Sequence, residues 1–395
     1  MRIWSRSLLL YLVKTSGIYY ASPVNFNYWF NFGFLSLYFL ISQLVTGIII
    51  AMFYNANSFL AFGLILDMSN EIYYGWWLRY IMLMVHHFFF CVYLHMCRGI
   101  YYGSFVYPRQ YLWISGSIIW VLMIATAFFG YILPWGQMSF WGAMVITSLL
   151  GAIPLVGGDI LFLLWGSYSI DNVTLHRFYS LHYLLPFIIL LITVIHFALL
   201  HEFGSNNPLG ISVELDNAPF IPYYGIKDAF SIIIFLFIFF IFIFYAPDAL
   251  GHSDNYIPAN GLVTPAHIVP EWYFLPLYAV LRSVPNKLLG LFLIACFIVC
   301  IILIPFICKN TIIRSTMFRP IYGCIVWFFF FICYLLGWIG SLPVISPFLE
   351  IGQFVTFCYF FILLILFPYI AYFEKSIYNA YIRRRERYKN KIWII

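Results

Sequence analysis

The sequence predicts an all-α, polytopic membrane protein with eight transmembrane helices. Of its 395 residues, 64% are hydrophobic and only 9% charged, against roughly 25% charged in an average soluble domain. Such a chain cannot cover a water-facing surface. Apolar runs recur at the length of about 20 residues that a helix needs to cross a hydrocarbon core, with no sign of the alternating segments of a membrane barrel. Since lipid leaves only helices and closed barrels able to satisfy the backbone, the runs are read as helices.

The spans fall at 28–53, 74–102, 112–134, 175–201, 226–246, 290–308, 320–339 and 350–373. An even number places both termini and the connections after the second, fourth and sixth spans on one side. Of the 20 Lys and Arg, all but Arg79, Arg177, Arg282 and Lys287 lie on that side, a charge bias of the kind that orients membrane helices. The opposite side owns the two longest connections, 135–174 and 247–289. Connections of that length are candidates for functional lids. Their aromatic and proline-rich makeup, as in Pro134-Trp135-Gly136-Gln137 and Pro270-Glu271-Trp272-Tyr273, is unlike a solvated linker and predicts that they fold back onto the bundle. The chain divides into an N-terminal segment 1–27, a four-helix bundle 28–225, the later helices 226–373 and a basic tail 374–395. Arg2, Arg6 and Lys14 flank a short apolar run, yet no clean cleavage site follows, so removal of a signal peptide is not expected. The 8 cysteines lie in or beside apolar segments without any C-x-x-C. That spacing argues for core-filling thiols and against disulfides, zinc or covalent haem attachment.

On the fourth span His182 and His196 are 14 residues apart, a rise of about 21 Å and a rotation returning to within roughly 40° of one face. Intramembrane histidines are costly without a partner and so mark functional positions. On the second span His95 can come level with His196 if the second and fourth spans run parallel. Two facing imidazoles suit a low-spin haem iron. Gly33 and Gly47 on the first span, and Gly116 and Gly130 on the third, repeat the 14-residue spacing. Glycine weakens a helix interior by about 1 kcal/mol, so the pairs imply close approach of something to the backbone. That something is either a neighbouring helix or two flat macrocycles at two depths, giving a di-haem bundle. A proton channel or transporter using the same histidines is the competing class.

Longer strings then carry a resemblance. Gly75-Trp76 with Arg79, Arg98-Gly99 with Tyr101-Tyr102-Gly103, the run Gly130 to Gly142, Gly204 to Pro208, Ala246-Pro247-Asp248 and Pro270-Glu271-Trp272-Tyr273 all resemble mitochondrial cytochrome b, a subunit of the quinol:cytochrome c reductase, complex III. The resemblance runs from about residue 25 to 373. It implies two non-covalent b-type haems, and ubiquinol and ubiquinone as substrates. It also implies a mitochondrial inner-membrane location, a homodimeric complex in membrane lipid with a Rieske iron–sulfur protein, cytochrome c1 and other complex III subunits, and no nucleic-acid partner.

Carried over by position, His95 and His196 resemble the ligands of the high-potential haem and His182 one ligand of the low-potential haem. Arg98 resembles a propionate partner of the first, Arg79 and Arg177 partners of the second; guanidinium suits carboxylates, although interfacial snorkelling is the alternative for Arg79 and Arg177. Glu271 resembles the acceptor of a quinol proton, in a pocket shaped by Pro270, Tyr273, Phe274 and Tyr278 with Trp141 and Gly142. His201, Ser205, Lys227 and Asp228 resemble the quinone-reduction site, where Lys227 and Asp228 could equally form an interfacial ion pair. One departure stands out. The family's second histidine on the second span falls here on Ile81 when counted from His95, and on Met82 when counted from Trp76 and Arg79, because the chain is one residue shorter between these landmarks. His86 and His87 lie only about 12 to 14 Å along the helix from His95, too shallow to match His182. Met82, whose thioether is a known type of haem ligand, is the candidate if the helix changes pitch locally. A haem ligated from elsewhere stays open.

Overall fold

The computed structural model describes residues 14–211, 216–309 and 311–392. Among them eight helices are long and apolar enough to cross a membrane: α1 Tyr28–Ala51, α2 Gly75–Tyr101, α3 Gln110–Ile132, α4 Asn172–Phe203, α5 Phe220–Tyr245, α6 Lys287–Ile307, α7 Pro320–Gly340 and α8 Phe348–Glu386. The expected all-α, eight-span class is borne out. The question of a leader falls on residues 1–13, which lie outside the described residues. Local chemistry sets the ends. Asp171 and Thr174 form a reciprocal capping box that starts α4, and Asn286 accepts from Leu289 N at 3.0 Å to start α6. The helix α3 stops just before Leu133-Pro134, as expected of a residue that precedes proline. The expected boundaries at 225 and 373 fall inside α5 and α8, and α8 carries the helix on into the basic tail.

In the first half α1 packs on α2 and α3 on α4, while α6 reaches α3 from outside this bundle. The two long connections do fold back, and they are tied to each other. Gln137 N donates to Ile257 O at 2.9 Å and Ala259 N to Trp135 O at 3.0 Å, while Ser139 N and Asn260 N bond side-chain oxygens of Asn255 and Gln137 across the same seam. Trp135, Phe140, Leu175 and Phe178 bury a small separate core beneath this cap. Short strands Ala21–Pro23 and Asn217–Pro219 pair antiparallel at the opposite end, a feature the sequence reading had not foreseen. Large apolar side chains such as Leu191, Phe237 and Tyr334 stand well exposed on the outer helix faces, as lipid solvation requires.

Candidate functional site

Each glycine of the two spaced pairs has a different neighbour, and each neighbour is a candidate ligand. A Cβ placed on Gly33 would lie 2.9 Å from His95 Cε1, on Gly116 3.0 Å from His196 Cε1, on Gly130 2.4 Å from His182 Cε1, and on Gly47 3.6 Å from Met82 Cε. The first two positions share one depth. There the His95 and His196 ring centroids are 6.4 Å apart. A metal midway between two imidazole nitrogens, at bond lengths of about 2 Å, sets ring centres about 6 Å apart, so the pair fits a shared iron. His196 Nδ1 is 2.9 Å from Ser115 Oγ, whose own proton goes to Leu112 O. Nδ1–H is therefore the donor, and Nε2 keeps its lone pair. Arg98 stands beside His95, with one guanidinium nitrogen 3.2 Å from His95 Nδ1 and the group stacked over Phe30 at 4.7 Å. Its Nε is buried with no hydrogen-bond partner, and no carboxylate among the described residues pairs with it. A buried guanidinium that bonds Ser104 Oγ and His95 but has no carboxylate partner fits an acidic group brought by a ligand.

At the second depth His182 Nδ1 is 2.8 Å from Thr126 O, which again fixes the proton on Nδ1 and frees Nε2. Across the bundle Met82 lies against Gly47, and Thr46 Oγ1 is 3.9 Å from its sulfur. The pitch change that Met82 requires is present. α2 consists of Gly75–Leu83 and Val85–Tyr101, joined at Met84 with ψ 23°. His87 N bonds Met84 O, three residues back rather than four. Gln43 Nε2 on α1 donates to the Ile81 carbonyl at 3.0 Å, an acceptor that an unbroken ladder would give to Val85. Breaks of this kind persist where a side chain enters the ladder.

A cavity of about 450 Å³ opens at this depth, lined by Gly47, Arg79, Met82, Gly130 and His182 and reaching Glu271 and Tyr273. It thus joins Met82 and His182 to the loop that resembles the quinol pocket. Burial pushes the Glu271 carboxyl up to about 7, and Tyr131 from α3 acts on it from beside. His86 Nε2 is 3.7 Å from Glu271 Oε2, the side chains being 7% and 9% exposed. Tyr273 is buried, stacked on Phe89 at 4.0 Å, with its carbonyl held by the Tyr93 hydroxyl at 2.7 Å. Burial also raises its phenol well above the usual range.

Other expected pocket residues lie off the cavity wall. Phe274 follows the buried Tyr273, the two rings 4.6 Å apart, and Pro270 precedes Glu271 in the loop. Tyr278 bonds Ile268 O at 3.3 Å and Trp141 bonds Asn260 O at 3.3 Å, while a Cβ at Gly142 would meet nothing within 4 Å. Arg177 is not brought to Arg79: it donates to Leu163 O and borders a separate hollow with His176. His87 is not a neighbour of His182 either, because its ring packs among Phe39, Phe239 and Phe242.

At the opposite end, Lys227 bonds Phe26 O at 2.6 Å and lies over the Tyr28 ring at 4.8 Å. Asp228 is buried and forms no ion pair with it. The absence of a pair follows from consecutive helical residues pointing about 100° apart. His201 stacks on Tyr20 at 4.4 Å, and the Ser205 carbonyl accepts from Arg109 at 3.3 Å. The N-terminal segment thus contacts both α4 and α5. Sequence reasoning considered His86 only as a haem ligand, and it missed Tyr131, Gln43 and Thr46. A polar side chain in an otherwise apolar span was the available signal for Gln43.

Two family descriptions match the chain, Cytochrome b/b6/petB over residues 18–204 and Cytochrome b(C-terminal)/b6/petD over residues 258–360. Relatives described as cytochrome b are 48% identical over 98% of the chain in Dictyostelium citrinum, whose protein is covered entirely, and 50% identical over 92% of both chains in Solanum tuberosum. The chain belongs to the cytochrome b family. A solved chain from a hyperthermophilic respiratory complex III superposes with a TM-score of 0.89 at 31% identity, covering 95% of this chain and 99% of that one. The family and the complex III fold imply a haem-binding membrane subunit of a respiratory redox complex.

Proposed function

We propose that the chain binds two non-covalent b-type haems, one between His95 and His196 and one between His182 and Met82, and moves electrons from a quinol at one membrane face to a quinone at the other. The observation that carries this reading is the pairing of all four candidate ligands with the four spaced glycines. The haems, when bound, supply one-electron transfer between two depths in the membrane. Arg98 and Arg79 would hold acidic groups of these ligands, Arg98 with its partnerless Nε and Arg79 from the cavity wall. The proton-channel reading, which the histidines alone left open, gives no account of the four glycine contacts.

At the 247–289 loop, the Glu271 carboxylate takes a proton from a quinol hydroxyl, since its elevated pKa keeps it basic enough to accept near neutral pH. Tyr273, clamped by Phe89 and Tyr93, fixes that wall. At the other face Asp228 and His201 would deliver protons to a quinone, with Lys227 and Ser205 positioning it. Protons then leave on the Glu271 side and enter on the Asp228 side, contributing to translocation. Rieske protein, cytochrome c1 and other complex III subunits, a homodimeric assembly, ubiquinone as the quinone and the mitochondrial inner membrane complete the reading. The family, the complex III fold and the resemblance to mitochondrial members support it. A reduced-minus-oxidised absorption spectrum tests it: b-type bands from two haems per chain are expected, and a protein without haem bands defeats it.

A further inference from the structure

We propose that Arg109 is a positioning residue for quinone reduction: it clamps the carbonyls at the end of α4 and so sets Ser205 and His201 for the quinone. The inference rests on the reading of those two residues, with Lys227 and Asp228, as the quinone-reduction site. Arg109 stands at the start of α3 and is buried. Its Nε donates to Gly204 O at 2.8 Å, and Nη2 reaches Phe203 O and Ser205 O, each at 3.3 Å. The last carbonyls of a helix have no partner within it, and a cation there also meets the negative end of the helix dipole. The chain turns away at this point, where Gly204 takes φ 67°. One rigid fork on three successive carbonyls therefore fixes the direction in which Ser205 leaves the helix.

Two further contacts tie the clamp to its surroundings. His201 lies four residues before Ser205, and its ring is stacked on Tyr20 at 4.4 Å. Tyr20 is close enough to act electrostatically on Arg109, and both Arg109 Nη1 and the Tyr20 hydroxyl are buried without a hydrogen-bond partner. A small settling of either side chain lets the guanidinium donate to that hydroxyl oxygen. From the other flank, Asn206 Nδ2 donates to Tyr102 O at 2.8 Å and to Ser104 Oγ at 3.2 Å, so the segment 203–206 is pinned from two sides. No carboxylate among the described residues pairs with Arg109, and Arg314, the other cation beside it, bonds Tyr107 O instead. Burying a cation without a carboxylate is costly. Glycine or a surface lysine closes a helix end without that penalty, so what the burial secures is the fixed geometry of the fork.

The test uses the assembled complex with Arg109→Lys, which keeps the cation but loses the fork, and with Arg109→Gln, which loses both. Re-oxidation of the pre-reduced haem between His95 and His196 is followed against the concentration of a short-chain ubiquinone, together with haem content. The expected result is full haem content and a limiting rate within about twofold of that of the unmodified complex. The half-saturating quinone concentration rises about fivefold in Arg109→Lys and more in Arg109→Gln, because misplaced polar contacts weaken binding without changing the transfer itself. Curves that superimpose on those of the unmodified complex overturn the proposal. So does a loss of haem with a lower limiting rate and unchanged half-saturation, the mark of a cap that serves only the fold. Should neither variant assemble, amide hydrogen exchange in the unmodified complex decides: the 203–207 backbone is expected to exchange more slowly once the short-chain ubiquinone is added, and unchanged exchange overturns the proposal. If His201→Leu leaves the quinone dependence unaltered, the reading of this face as the quinone site fails, rather than the Arg109 clamp alone.

Discussion

His182 stands directly over Gly130: a Cβ at that glycine would fall 2.4 Å from the imidazole Cε1. The histidine is also held from behind by Thr126 O, so it cannot retreat along that side without losing its proton anchor. Gly130→Ala therefore gains roughly 1 kcal/mol of helix propensity yet forces the ring out of place, an overpacking cost of about 1–3 kcal/mol. We expect this variant to keep the haem between His95 and His196 and to lose the other, as read by haem-to-protein ratio. Full retention of both would show that the tight contact is not part of the site.

His95→Leu and His196→Leu are each expected to remove one haem and to block electron delivery to the Asp228 face. Each iron would lose an axial bond that no neighbour supplies. Haem content and the rate of quinone reduction are the readouts.

Glu271→Gln is expected to slow quinol oxidation by about 10²-fold or more, because an amide cannot accept the proton. The pH dependence has a definite sign. Burial sets the carboxyl to about 7, so it is largely protonated and unable to accept below that pH and is an active base above it. The rate of the unmodified protein should rise as pH increases through about 7, and the variant should lose that rise. Equal steepness in both assigns Glu271 to the architecture of the turn.

The eight spans were legible because apolar runs of this length have one solution in lipid, and the glycine and histidine spacings transfer directly to depth along a helix. The orientation of His86 was not legible. It depends on the break at Met84, and that break depends on a cross-helix bond from Gln43 to Ile81 O, which no local pattern encodes. The same break reconciles the short count between Arg79 and His95 with Met82 facing Gly47. The Lys227 bond to Phe26 O was hidden for a related reason. It requires the N-terminal segment to pass beside α5, held by a two-strand pairing too short for periodicity to reveal. Arg177 matched a motif position, yet its guanidinium goes to the Leu163 carbonyl of the folded-back connection instead.

Met82 facing Gly47, opposite His182 on Gly130, is the point on which the two-haem account turns. A thioether favours the reduced iron and raises its potential relative to two imidazoles, which would lessen the driving force between the two haems. The near-infrared spectrum of the oxidised, purified protein tests the ligation directly, alongside haem quantitation and the same spectrum of Met82→Leu. The account predicts two haems per chain and a thioether-to-iron band that disappears in Met82→Leu. Two haems with imidazole-only signatures and no such band in the unmodified protein would contradict it.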